Sequence, residues 1–222
     1  MAWLRQARLQ RRSPRQWALM RRNLSAGLLM LAGALMLSGC GGPSLPPVPQ
    51  NGVILAFGDS LTAGVGASTG QSYPEVLASL SGRVVINAGI SGEETAQGRQ
   101  RLPQALQEHQ PDLLILMEGG NDILRNRSKT ELKANLAAMI EQAQGQGVPV
   151  MLVGVPERAL FSDSAPLYGE LAEQYQLVFE PKLLRSLLGQ PALKSDPIHF
   201  NAGGYQALAE GLYQRLVDAG AL

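Results

Sequence analysis

At 222 residues, with 45% hydrophobic and 17% charged side chains, the chain is long enough to bury one substantial core, and no break in composition after residue 52 marks a second domain. Its formal charge of +1 conceals an asymmetry, because residues 1–39 hold seven arginines and no acid, leaving twelve basic against eighteen acidic side chains in the rest. That remainder, near −6, carries no basic stripe, which argues against nucleic acid as a partner.

The first apolar run, Leu24 to Leu37, follows Arg21-Arg22 and is fourteen residues long. A bilayer-crossing helix needs about 20 residues, so the run suits the apolar region of an export signal. Arg21-Arg22 also permits a twin-arginine reading, but the flanking residues match that pattern poorly. Leu37-Ser38-Gly39-Cys40 resembles the lipobox of bacterial lipoproteins, in which the signal is cut before a cysteine that is then lipidated. Cys40 is the only cysteine. An exported chain with one cysteine forms no internal disulfide, and lipid attachment gives the thiol a use; an unmodified thiol or an uncleaved anchor is the alternative. Met20 would by itself begin a signal of compact shape, which suggests that translation starts there. The expected organisation is a lipoprotein signal peptide over 1–39, a lipidated Cys40 with a Pro-rich tether outside the core over 40–51, and one folded domain over 52–222. The lipobox resemblance implies a bacterial cell envelope and a periplasm-facing domain. Gly41 is not the acidic residue that favours inner-membrane retention, so the outer membrane is preferred.

From residue 53 short apolar runs alternate with amphipathic stretches. Strands are expected at Val53–Phe57, Arg83–Asn87, Asp112–Met117, Pro149–Val155 and Gln176–Phe179. Helices are expected near Tyr73–Leu80, Glu93–Glu108, Thr130–Gln144, Leu167–Tyr175 and Asn201–Asp218. The clearest has Leu132, Leu136, Met139 and Ile140 at helical spacing, with Gly145 and Gly147 at its end. Such alternation implies right-handed crossovers and a parallel sheet covered on both faces, a three-layer α/β/α domain of flavodoxin-like type with five parallel strands. Chemistry in such a sheet collects at the C-terminal ends of its strands.

Four loops at that edge carry reactive types. The first strand ends in Gly58-Asp59-Ser60, the second in Asn87-Ala88-Gly89-Ile90-Ser91-Gly92, the third in Glu118-Gly119-Gly120-Asn121-Asp122, and Asp196-Pro197-Ile198-His199 precedes the last helix. At this point the chain resembles the SGNH hydrolases, or GDSL family, whose blocks carry Ser in Gly-Asp-Ser, a Gly, an Asn in Gly-x-Asn-Asp, and a His preceded three residues earlier by Asp. The resemblance covers residues 52–218. Its wording is closest to the branch of periplasmic lysophospholipases, thioesterases and arylesterases.

The chemistry fits these residue types. A serine hydroxyl is a weak nucleophile until a neighbouring base takes its proton, and histidine accepts and returns protons near neutral pH. Of the two histidines, His109 stands at the polar end of a helix, where a solvated surface role suffices; His199 is the candidate base. Asp196, three residues earlier, is within one turn of chain of its ring and would orient it, although Asp-Pro is also a common turn starter. The family resemblance assigns the oxyanion donors to the backbone N–H groups of Ser60 and Gly89 and the side-chain amide of Asn121. Asp59 and Asp122 are read as supports for nearby loops. Ile123, Leu124, Leu160 and Phe161 either line an acyl groove or serve local packing.

No metal-ligand spacing and no phosphate-binding loop stands in the sequence, so neither metal nor cofactor is expected. The reading is a monomeric serine hydrolase of acyl esters or thioesters working through an acyl-serine. Rival readings are a carbohydrate or peptidoglycan O-acetylesterase or acyltransferase on the same residues, a non-enzymatic acyl-binding lipoprotein, and a flavodoxin-like cofactor binder.

Overall fold

The computed structural model describes residues 42–157 and 163–222. Cys40, Leu160 and Phe161 lie outside the described residues. Strands β1 (Val53–Gly58), β2 (Val84–Gly89), β3 (Leu113–Met117), β4 (Val150–Val153) and β5 (Val178–Glu180) form one sheet in the order β2-β1-β3-β4-β5, each neighbouring pair parallel. Ile54–Phe57 and Leu113–Leu116 are wholly buried, which is why these strands read as unbroken apolar runs rather than alternating ones. Strand β2 lies at the edge and is exposed at Val84, so it tolerates the polar Asn87.

Eight helices are described: α1 (Ser60–Ala63), α2 (Tyr73–Ser81), α3 (Thr95–His109), α4 (Gly120–Leu124), α5 (Lys129–Gly145), α6 (Pro166–Gln174), α7 (Leu183–Leu188) and α8 (Ala202–Asp218), with a 3₁₀ turn at Pro191–Leu193. Helix α8 packs against α2 and α7, while α5 packs against α3 and α6, giving the two outer layers. Local chemistry starts the helices. Ser72 and Glu75 form a capping box ahead of α2, Ser128 Oγ accepts the Glu131 N–H at 3.3 Å ahead of α5, and Asn201 Oδ1 accepts the Gly204 N–H at 3.0 Å ahead of α8. Leu132, Leu136, Met139 and Ile140 of α5 are all buried, as their spacing predicts.

The five expected strands and five long helices are present, with ends displaced by one or two residues. Three short helices were not expected. Helices α1 and α4 spring directly from the ends of β1 and β3, and α7 lies between β5 and the 3₁₀ turn; with four to six residues each, they are too short to show a period.

The Pro-rich stretch does not stay outside the core as expected. Leu45 and Val48 are buried; the Leu45 N–H donates to the Ala219 carbonyl at 2.9 Å and the Val48 N–H to the Ala221 carbonyl at 2.8 Å. The prolines hold this segment extended, and its two apolar side chains close the core at the end of α8. The compact unit accordingly begins at Pro43.

Because β1 lies between β2 and β3, the crossover leaving β1 and the one leaving β3 depart to opposite sides. The crevice where they part, at the C-terminal ends of β1 and β3, is the switch point at which open α/β sheets bind ligands.

Candidate active site

Ser60 opens α1 at that crevice. Asp59 caps the helix, its Oδ1 accepting the Leu61 N–H at 3.0 Å, so the Gly-Asp-Ser run is a strand-to-helix junction that aims the serine side chain outward. Ser60 is only 7% exposed and lies recessed in the cleft. His199 reaches it from the loop before α8, with Nε2 3.0 Å from Ser60 Oγ. An antiparallel bridge between Lys194 and Phe200 closes this loop into a tight bend. Asp196 lies inside the bend, its Oδ2 2.7 Å from His199 Nδ1, while Oδ1 accepts the N–H groups of Ile198 and His199, each at 2.8 Å. The His199 backbone N–H, its ring and the Ile198 N–H together pull the Asp196 carboxyl down to about 2, so it is ionised at any working pH. His109 closes α3 ahead of β3, at the opposite edge of the sheet.

Asn121, on α4, lines the same cleft. Its Nδ2 donates to the Glu93 carbonyl at 2.9 Å and lies 3.5 Å from Asp59 Oδ2. Gly89, the expected backbone donor, does not line the cleft. It sits in the sheet opposite Gly58, its N–H donates to Asn87 Oδ1 at 3.0 Å, and a Cβ there would collide with the Ala63 backbone nitrogen. Glycine at 89 therefore serves the close packing of β2 on α1. Gly92, three residues on, lines the cleft beside Ser60 and Asn121 with φ of 79°, a conformation that favours glycine. The sequence signal for Gly92 is its place beyond the strand end, since the loop proper begins after Gly89.

Asp59 and Asp122 each accept a backbone N–H at the start of a helix. Asp122 accepts the Thr95 N–H at 2.9 Å and the Thr95 hydroxyl at 2.6 Å, tying α4 to the start of α3. Burial is the main reason that the Asp59 carboxyl is raised to about 6. A carboxyl raised on folding contributes stability below its unfolded value, near 4, that is lost as pH rises through 6. The wild-type melting temperature is therefore expected to fall between pH 4 and pH 6, and Asp59→Asn to flatten that fall; thermal melts across this range check it.

The cleft has a volume of about 700 Å³. Ile123 and Leu124 line it, together with Val155, Leu184, Leu188 and Ile198. Leu184 and Leu188 come from α7, which at six residues is too short to show a period in the sequence. Among the described residues, no group of His, Cys, Asp and Glu is arranged to hold a metal ion.

A serine bonded to a histidine that is bonded to an aspartate, at the switch point of a 2-1-3-4-5 parallel sheet, defines the class of α/β serine hydrolases. The chain belongs to the GDSL-like lipase/acylhydrolase family, whose sequence profile matches residues 56–207. It is 32% identical over 200 residues to esterase TesA of Pseudomonas aeruginosa, covering 82% of this chain and 97% of that protein. An arylesterase of Vibrio mimicus is 33% identical over 175 residues, covering 74% and 88%. The crystal structure of AlinE4, described as an SGNH-hydrolase family esterase, superposes with a TM-score of 0.60 at 33% identity, over 78% of this chain and 98% of that one.

Proposed function

We propose that this protein is an esterase whose nucleophile is Ser60 and which cleaves carboxylic esters and thioesters through an acyl-serine. The observation that carries the reading is the hydrogen-bonded line Ser60 Oγ, His199 Nε2, His199 Nδ1, Asp196 Oδ2, with steps of 3.0 and 2.7 Å. As Ser60 Oγ attacks the substrate carbonyl carbon, its proton passes to His199 Nε2, and the ionised Asp196 stabilises the imidazolium. Negative charge gathers on the former carbonyl oxygen. The Ser60 and Gly92 N–H groups and Asn121 Nδ2 receive it, Gly92 replacing Gly89 in this role. His199 then returns the proton to the departing alcohol or thiol as its bond to the acyl carbon breaks. Water then attacks the acyl carbon, His199 taking its proton and passing it to Ser60 Oγ as the bond between acyl carbon and Oγ breaks, which releases the acid and restores the serine hydroxyl.

Asp196→Asn keeps the shape but loses the charge that holds the imidazolium. Asp196 is half-exposed, and water replaces part of that stabilisation. The expected loss in kcat is on the order of 10³-fold, below that for Ser60→Ala, read by steady-state hydrolysis of an aryl ester.

The apolar lining from α4 and α7 supports an acyl group as the part of the substrate held in the cleft. A panel from acetyl to long acyl chains, with aryl, thioester, lysophospholipid and acetylated-sugar leaving groups, tests this. Hydrolysis of aryl and acyl esters that depends on acyl length is the expected result; activity confined to acetylated sugars would replace the reading by an O-acetylesterase. The domain is proposed to be monomeric, and lipid-anchored through Cys40 in a bacterial envelope, facing the periplasm, with the outer membrane preferred. The lipobox-like run Leu37–Cys40 supports this. No helix among the described residues is long and apolar enough to cross a membrane. Release of Cys40→Ser into the soluble fraction is the corresponding test.

A further inference from the structure

Four carboxyl side chains near Ser60 and Asn121 are buried, those of Asp59, Glu93, Glu118 and Asp122. The steps above use none of them, and Glu118 is the most enclosed, with no exposed surface. It directly follows β3, where its Oε2 accepts the Gly119 N–H at 2.9 Å and its main-chain carbonyl accepts the Tyr168 hydroxyl at 2.6 Å. No donor among the described residues reaches Glu118 Oε1. The Glu93 carboxyl comes close enough to interact with it.

Two carboxylates share no hydrogen bond unless one of them carries a proton. Arg101 decides which one does. Its Nε donates to Glu93 Oε1 at 2.8 Å and its Nη2 to Glu93 Oε2 at 2.5 Å, and the guanidinium stacks 3.8 Å from the centre of the Phe57 ring. Both Glu93 oxygens are thus already engaged by a bidentate cation. That leaves the proton on Glu118. Burial, then the charge of Asp59, then Glu93 raise the Glu118 carboxyl well above the usual range, in agreement with this placement.

The Glu93 main chain gives the arrangement a use in the reaction, because its carbonyl is the acceptor that holds Asn121 Nδ2 at 2.9 Å, one residue from Gly92. We propose that Glu118 is a positioning residue that works as a neutral acid: its O–H donates to the Glu93 carboxylate, and this bond, opposed by Arg101, fixes the loop that aims Asn121 at the developing oxyanion. The inference rests on the esterase reading for its kinetic consequence but not for the proton itself. The groups that face the pair are Asp59 at the start of α1, Arg101 on α3, Asp122 on α4 and Tyr168 on α6, with His199 acting on Asp59 from the loop before α8. Loss of the proton at high pH would set an uncompensated charge against Glu93 and Asp59 and release the Asn121 support.

The test compares wild type with Glu118→Gln and Glu118→Leu by kcat and KM for an aryl ester from pH 5 to pH 10, with melting temperatures. Glutamine keeps a neutral donor to Glu93. It is expected to stay within about threefold of wild type at neutral pH and to lose an alkaline fall in kcat that wild type shows. Leucine offers no donor and is expected to lose about tenfold or more in kcat with KM little changed. Equal losses in the glutamine and leucine variants, or the same alkaline fall in Glu118→Gln as in wild type, would overturn the proposal. Difference infrared spectra of the wild-type protein read the proton without reference to activity. The carbonyl stretch of a protonated carboxylic acid, present at pH 7 and absent in Glu118→Gln, is expected. Its absence from wild type would overturn the proposal even in an active enzyme, and its presence in a protein that hydrolysed no ester would keep the proton and discard only the esterase reading.

Discussion

Ser60→Ala is expected to lower kcat/KM for any ester that the protein cleaves by on the order of 10⁴- to 10⁶-fold while leaving the fold intact. Alanine removes the attacking oxygen and nothing else that α1 depends on, because the cap that starts the helix is Asp59, through the Leu61 N–H. His199→Ala is expected to cost a similar factor, since a neutral hydroxyl 3.0 Å from an absent base is no longer activated. The double variant should be no slower than either single one, because residues that act as a unit do not contribute additively. Initial rates on an activated aryl ester, with circular dichroism to establish folding, check all three. Losses that multiplied in the double variant would mean that the two side chains work independently.

Asn121→Ala is expected to lower kcat by roughly 10²- to 10³-fold with KM little altered. The amide has its Nδ2 bound to the Glu93 carbonyl, which aims the group before substrate arrives, so the stabilisation of a developing oxyanion costs no reorganisation. A ground-state carbonyl carries little of that charge, and the effect therefore belongs to the chemical step rather than to binding. Steady-state kinetics on esters with good and poor leaving groups separate the two contributions. A change in KM alone would make Asn121 a substrate-binding residue.

The parts of this molecule that were legible in its sequence are those whose physics is local or periodic. Strands β1 and β3 announced themselves as unbroken apolar runs because they are buried on both faces, and α5 because Leu132, Leu136, Met139 and Ile140 repeat on one face. Asp196 and His199 were legible as a pair because three residues of chain suffice to bring carboxylate to ring. Gly89 departs from its expected role for a physical reason. Its run of small residues looks like a loop in which backbone approaches substrate, yet β2 continues through it and the close approach is to Ala63 of α1. The groove contribution of α7 and the docking of Leu45 and Val48 depend on contacts far apart in sequence, and no local pattern encodes them. Glu118 carries no local sign of its burial, because a single acid directly after a strand has no periodic neighbours to mark it, whereas in the fold it is fully enclosed.

Covalent labelling with a fluorophosphonate, read by intact mass and by peptide mapping, tests the central claim most directly. The account predicts a single adduct on the peptide that carries Ser60, formed rapidly in wild type, far more slowly in His199→Ala and not at all in Ser60→Ala. An adduct on another residue, or folded wild-type protein that hydrolyses esters yet takes no label at Ser60, would contradict it.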